Sequence, residues 1–138
     1  ADVIYIVTSS EFMSIFAANN IMKIIKNFSK RKNIKFGGLI HNQRNNDSNI
    51  NILKIFADMT KSKIIGEIPF SKELIKSELN GKTIAEMYPN SNLYNNFLEL
   101  SDKILDNQDD IDFSPLSEEE MEYLAAEILK ENIYYEEE

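Results

Sequence analysis

Residues 34–44 read Ile34-Lys35-Phe36-Gly37-Gly38-Leu39-Ile40-His41-Asn42-Gln43-Arg44. A mostly apolar run gives way abruptly to a polar Asn-x-Arg. A strand covered on both faces shows a near-continuous apolar run, whereas a strand with one wet face alternates. The stretch therefore predicts a buried parallel strand. In open α/β sheets, ligands sit beyond the carboxyl ends of the strands. Asn42, just past the last apolar residue, is thus the first candidate to touch a small molecule. The plainer reading is a loop asparagine that bonds its own turn. Gly37-Gly38 inside the strand marks a bulge or a close backbone approach.

Outward from this strand, the chain alternates. Val3 to Thr8 is a β-branched and aromatic run suited to a second buried strand. Ser9 or Ser10 is a plausible cap for the helix that follows. From Glu11 to Lys30, apolar residues recur at three- and four-residue steps: Phe12, Ile15, Phe16, Ile21, Ile24, Ile25 and Phe28. Ala17-Ala18 allows close helix–sheet contact, while Asn19-Asn20 in mid-helix calls for a tertiary contact or a partner surface. Asn45 to Asn51 reads as a polar loop leading into a helix over 50–60.

Lys63 to Ile68 predicts a third strand, stopped by Pro69, which cannot donate to a ladder. Ser71 caps a helix through Leu79, and Asn80-Gly81 is a turn. Thr83 to Met87 is a short helical piece. Leu93 to Leu105 is helical, with Leu93, Phe97, Leu100, Ile104 and Leu105 on one face. Asn107 to Asp112 is an acidic linker. Ser117 and Glu120 form a capping box for a last helix, and Tyr134 to Glu138 should fray. The order predicts an α/β fold with a mainly parallel sheet and flanking helices in three layers. Three strands with no amphipathic edge pattern suggest that further strands belong beside them. The boundaries expected are an α/β unit over 1–107, then the acidic linker and terminal helix over 108–138.

Of the 138 residues, 43% are hydrophobic and 28% charged, ordinary for one globular domain. The net charge of −8 is uneven: residues 109–138 carry −11 and the other 108 carry +3. The remainder has no basic stripe for nucleic acid. The apolar runs are too short for a membrane span, and neither end carries a signal segment. Ala1, rather than Met, opens the sequence, as in a piece of something longer. With no cysteine there is no disulfide, thiolate zinc site or cysteine-held cluster within these residues.

Neither Gly-x4-Gly-Lys-Ser/Thr nor Gly-x-Gly-x-x-Gly occurs. His41, the single histidine, has no visible nucleophile to serve as base. No catalytic constellation is complete. Half of a nucleotide site is present, however. Asn42 follows one strand and Ile68-Pro69-Phe70 the next, so parallel neighbours would bring both to one sheet edge. An amide both donates and accepts toward a base. Phe70 offers an apolar face, and Glu78 lies about two turns beyond Ser71.

These residues resemble a known family. Thr8-Ser9-Ser10-Glu11-Phe12-Met13-Ser14-Ile15-Phe16-Ala17-Ala18-Asn19-Asn20-Ile21 is similar to the strand-to-helix segment of the nitrogenase iron protein family. Gly37 to Arg44 resembles that family's Gly-Gly-Leu-Ile-Cys-Asn-Ser-Arg. Ile68-Pro69, Glu78, Thr83, Glu86, Pro89 and the Ser117 box fall at matching spacing. The likeness runs nearly the whole chain and covers the family's carboxyl-terminal half. Asn-x-Arg with Ile-Pro is shared with partition and division-site ATPases, whereas Ala-Ala-Asn-Asn is more particular to the iron protein.

The resemblance implies a partial P-loop NTPase-type fold and a cytoplasmic, dimeric ATPase. It implies ATP with Mg, a [4Fe–4S] cluster, and electron delivery to a catalytic acceptor protein of nitrogenase or related type. The phosphate loop and cluster cysteines would precede Ala1, and no nucleic acid or membrane is implied as a partner. What maps here is the adenine side: Asn42, Pro69 with Phe70, and Glu78. His41 stands for Cys, Phe70-Ser71 for Arg-Asp, and Ile75 and Leu93 for polar residues. Two other readings are a non-catalytic interaction module and a partition-type ATPase fragment without a cluster.

Overall fold

The computed structural model describes residues 2–44, 50–106 and 109–136, with side chains through residue 130. Three parallel strands form one sheet in chain order: β1 (Asp2–Thr8), β2 (Ile34–Asn42) and β3 (Ile64–Ile68). Between them run α1 (Phe12–Ser29) and α2 (Ile50–Thr60). There follow α3 (Lys72–Leu79), α4 (Ile84–Met87), α5 (Asn92–Asp106) and α6 (Glu118–Glu136). The alternation read from the sequence is the one observed. The loop expected over 45–51 lies outside the described residues except for Ile50 and Asn51, which already belong to α2. Asn107, Gln108 and the last two residues, expected in linker and frayed end, also lie outside them; the α6 backbone continues to Glu136.

Side chains alternate across each strand, and this sorts the helices into layers. Ile6 and Leu39, paired in register, enter the core with residues of α1, α2 and α6. On the opposite face the Tyr5 hydroxyl donates to Ile104 O of α5 at 3.2 Å. A Cβ at Gly66 would strike Leu100 of α5. The sheet thus lies between α1, α2 and α6 on one side and α5 on the other. Leu105, expected on the inner face of α5, is instead 72% exposed.

The glycine pair in β2 has both features expected of it. Its pairing with β1 shifts register between Ile4 and Tyr5. A Cβ on Gly37 would sit inside the Tyr5 ring, and Gly38 has φ +129°, a conformation that L side chains rarely adopt. The bulge leaves room for the Tyr5 ring beside Gly37.

The buried face of α1 departs from the apolar count. Ile15, Ala18, Asn19, Met22 and Ile25 are buried, while Phe16, Ile21, Ile24 and Phe28 lie outside. Asn19 faces inward with the other four because its amide pairs with the buried Leu116 backbone on the approach to α6. Neither Ser9 nor Ser10 caps the helix: Glu11 holds that position, without a side-chain bond. Ser9 Oγ instead accepts from Glu11 N at 3.4 Å, and Ser14 Oγ accepts from Ser9 N at 3.0 Å, so the hydroxyls order the turn before the helix.

The expected acidic linker is tied down. Asp110 Oδ1 accepts from Phe36 N at 3.1 Å, and Ile111 N donates to Phe36 O at 2.8 Å. Lys26 Nζ donates to Phe113 O at 2.6 Å and lies 4.7 Å from the Phe113 ring centre. Phe113 and Leu116 then enter the core beside Met121 and Leu124. The capping box holds at the start of α6, with Ser117 N to Glu120 Oε1 at 3.1 Å and Glu120 N to Ser117 Oγ at 3.2 Å.

Candidate nucleotide-base site

The register of β2 and β3 decides the site. Asn42 and Ile68, the last residues of the two strands, are Cα partners. Parallel neighbours ending together put their following loops on one rim. Gln43 N continues the pairing one step further by donating to Ile68 O at 2.9 Å. Pro69 then stops the ladder, and the chain turns into α3. Ser71 caps that helix, its hydroxyl accepting from Glu73 N at 3.1 Å.

A cleft of about 410 Å³ opens at this rim. Phe70, Leu74 and Ile75 form its apolar side. Asn42, Gln43, Arg44 and Glu78 supply polar groups. Three of the four candidates named from the sequence, Asn42, Phe70 and Glu78, are therefore brought together. Pro69 is not among the lining residues; it borders two neighbouring hollows beside α5, one shared with Gly66 and Leu100, the other with Asn92 and Asn96. Among the described residues the Asn42 side chain makes no hydrogen bond. A half-buried amide with no partner, at the mouth of an apolar slot, is suited to a flat heteroaromatic ligand.

Sequence reasoning passed over Gln43 and Leu74. Gln43 gave a signal only by its position next to Asn42. Leu74 was legible as the residue one turn before Glu78 on the same helix face. Ile75, which the resemblance marks as the loss of a polar group, borders the apolar side instead. Leu93, the other such loss, is buried in the core.

His41 lies across β2 from this cleft and is 1% exposed. Its Nδ1 is 3.2 Å from Glu67 Oε1, and its Nε2 is buried without a partner among the described residues. Among the described residues no hydroxyl is hydrogen-bonded to its ring. Among the described residues no three His, Asp or Glu side chains converge to hold a metal ion. No described helix is long and apolar enough to cross a membrane.

A family profile described as 4Fe-4S iron sulfur cluster binding proteins, NifH/frxC family, matches residues 1–131. The nitrogenase iron protein 2 of Methanothermococcus thermolithotrophicus is 38% identical over 128 residues, 93% of this chain and 44% of the relative. The nitrogenase iron protein of Methanospirillum hungatei is 40% identical over 131 residues, 94% of this chain and 47% of the relative. The chain thus spans about half the length of these relatives. Among solved structures, the MinD cell division protein of Aquifex aeolicus superposes with a TM-score of 0.57 at 19% identity. That match covers 81% of this chain and 47% of the other. At this identity the likeness speaks to the fold alone.

Proposed function

The chain belongs to the NifH/frxC family of 4Fe-4S iron–sulfur cluster binding proteins, and on that premise we propose that it is the carboxyl-terminal portion of an ATP-dependent, electron-donating reductase. Its own contribution is the adenine side of the nucleotide site. The observation that carries this reading is the unpartnered Asn42 amide in the cleft it shares with Phe70 and Glu78. The Asn42 oxygen accepts from an exocyclic amine and its NH2 donates to a ring nitrogen. Phe70, with Leu74 and Ile75, covers the base face and excludes water from it. Glu78, on the open side, accepts from ribose hydroxyls. Pro69 fixes the direction of the chain between Ile68 and Phe70.

The two remaining parts of the family's chemistry do not fit these residues. A [4Fe–4S] cluster is held by thiolates, and the chain has no cysteine. The triphosphate with Mg is gripped by a glycine-rich loop followed by Lys and Ser/Thr, a pattern the sequence lacks. The reading therefore assigns both to residues outside this sequence, in a homodimeric whole that serves a catalytic acceptor protein. When bound, ATP supplies the free energy of its hydrolysis; the residues here orient its base.

Two measurements test this. The coding region upstream of Ala1 is expected to encode a phosphate loop and two cysteines; a phosphate loop without the cysteines would replace the reductase with a partition-type ATPase. Separately, adenosine added to the 15N-labelled chain is expected to shift the amide signals of Asn42, Phe70 and Glu78. In Asn42→Ala the shifts at Phe70 and Glu78 should vanish. Unmoved signals in the unsubstituted chain at saturating nucleoside would remove the base site.

A further inference from the structure

Gln43 is anchored on both sides of Pro69. Its backbone N donates to Ile68 O at 2.9 Å, and its side-chain Oε1 accepts from Phe70 N at 3.4 Å. The orientation of the side-chain amide follows from chemistry. A backbone N–H only donates, so the atom that meets it is the carbonyl oxygen. With the oxygen committed, the NH2 is a pure donor. Among the described residues it donates to nothing, although Gln43 borders the same cleft as Asn42. A donor held in one orientation differs from the Asn42 amide, which has no partner among the described residues to fix which of its ends it presents.

We infer that Gln43 is a specificity-determining residue of the cleft, its fixed NH2 donating to a ring-nitrogen acceptor of the bound purine. This rests on the reading of the cleft as a base site. The acceptor lies next to the exocyclic amine taken by Asn42, which on adenine leaves N7 or N1. The Gln43 side chain closes the strand ends together and reads the ligand with the same amide. The purine is thereby held at its exocyclic amine and at the ring nitrogens on either side of it, and a base without a second ring acceptor beside its exocyclic group is rejected.

The test uses the 15N-labelled chain with adenosine, 7-deazaadenosine and 1-deazaadenosine. The Gln43 NH2 signal is identified by its loss in Gln43→Glu. Adenosine should move it, and one of the two deaza analogues should leave it in place while still moving the Asn42 NH2 signal. That analogue should bind about tenfold more weakly, the equivalent of one lost hydrogen bond. Gln43→Glu retains an oxygen for Phe70 N, which the Phe70 amide signal reports. This variant should bind adenosine about tenfold more weakly and no longer distinguish the analogue. If that variant does not fold, the comparison of analogues on the unsubstituted chain decides alone. A Gln43 NH2 signal that stays still with adenosine while Asn42 moves, or that responds alike to all three nucleosides, overturns this proposal and leaves the base site standing. If neither side chain responds to adenosine, both readings fall.

Discussion

Asn19 and Leu116, 97 residues apart, exchange two hydrogen bonds: Asn19 Nδ2 donates to Leu116 O at 3.0 Å, and Leu116 N donates to Asn19 Oδ1 at 2.8 Å. The amide thus continues the backbone pattern of a strand pair from inside a helix. It fastens the approach to α6 onto α1 at a point 1% exposed. This is the tertiary contact that Asn19 required as a mediocre helix former. Asn20, beside it, is exposed and makes no comparable contact among the described residues.

Asn19→Ala leaves a buried N–H and a buried C=O unpaired at Leu116. The expected loss is about 2–4 kcal/mol of unfolding free energy, measured by urea denaturation. Asn19→Asp retains the acceptor, loses the donor and buries a charge, so it should be no milder. A loss below about 0.5 kcal/mol for the alanine variant would mean that Leu116 finds other partners.

At the bulge, two neighbouring glycines should respond differently to the same partner. Gly37→Ala meets the Tyr5 ring, whereas Gly38→Ala is strained by its own backbone, φ +129°. Each should cost roughly 1–3 kcal/mol. Replacing Tyr5 by Leu should relieve most of the cost at Gly37 and little at Gly38. Equal relief at both positions in a double-mutant cycle would contradict the assignment.

Asn42→Ala should separate stability from ligand binding. The side chain makes no hydrogen bond among the described residues, so melting should change by no more than about 0.5 kcal/mol. Adenosine-induced shifts should be lost all the same. A large destabilisation would show that the amide holds the rim together.

Ser117→Ala removes one half of the α6 capping box, and about 1 kcal/mol should be lost. Glu120→Ala removes the other half, and the double variant should lose less than the sum because the two bonds are reciprocal. Chemical denaturation of the three variants checks this.

What the residues determined alone was local. Runs of β-branched and apolar residues specify β1, β2 and β3, because such side chains fit a pleated, half-buried surface. Ser71 and the Ser117–Glu120 pair mark helix starts, because each supplies a side chain to donors that the helix leaves free. Asn42, Phe70 and Glu78 were readable as a group because neighbouring parallel strands deliver their exits to one rim. Tertiary structure decided which equally periodic face of α1 turned inward. Phe16, Ile24 and Phe28 are more apolar than Asn19, but the face that turned inward is the one whose Asn19 amide meets Leu116 and whose Ile15, Met22 and Ile25 enter the core. It also decided that Asp110 and Lys26 serve the end of the core rather than solvent. The orientation of the Gln43 amide arises in the same way, from a backbone N–H of the next strand's exit that sequence spacing does not reveal. Helix and strand propensity act over a few residues, whereas the partner of a buried polar group is chosen by packing across the whole fold.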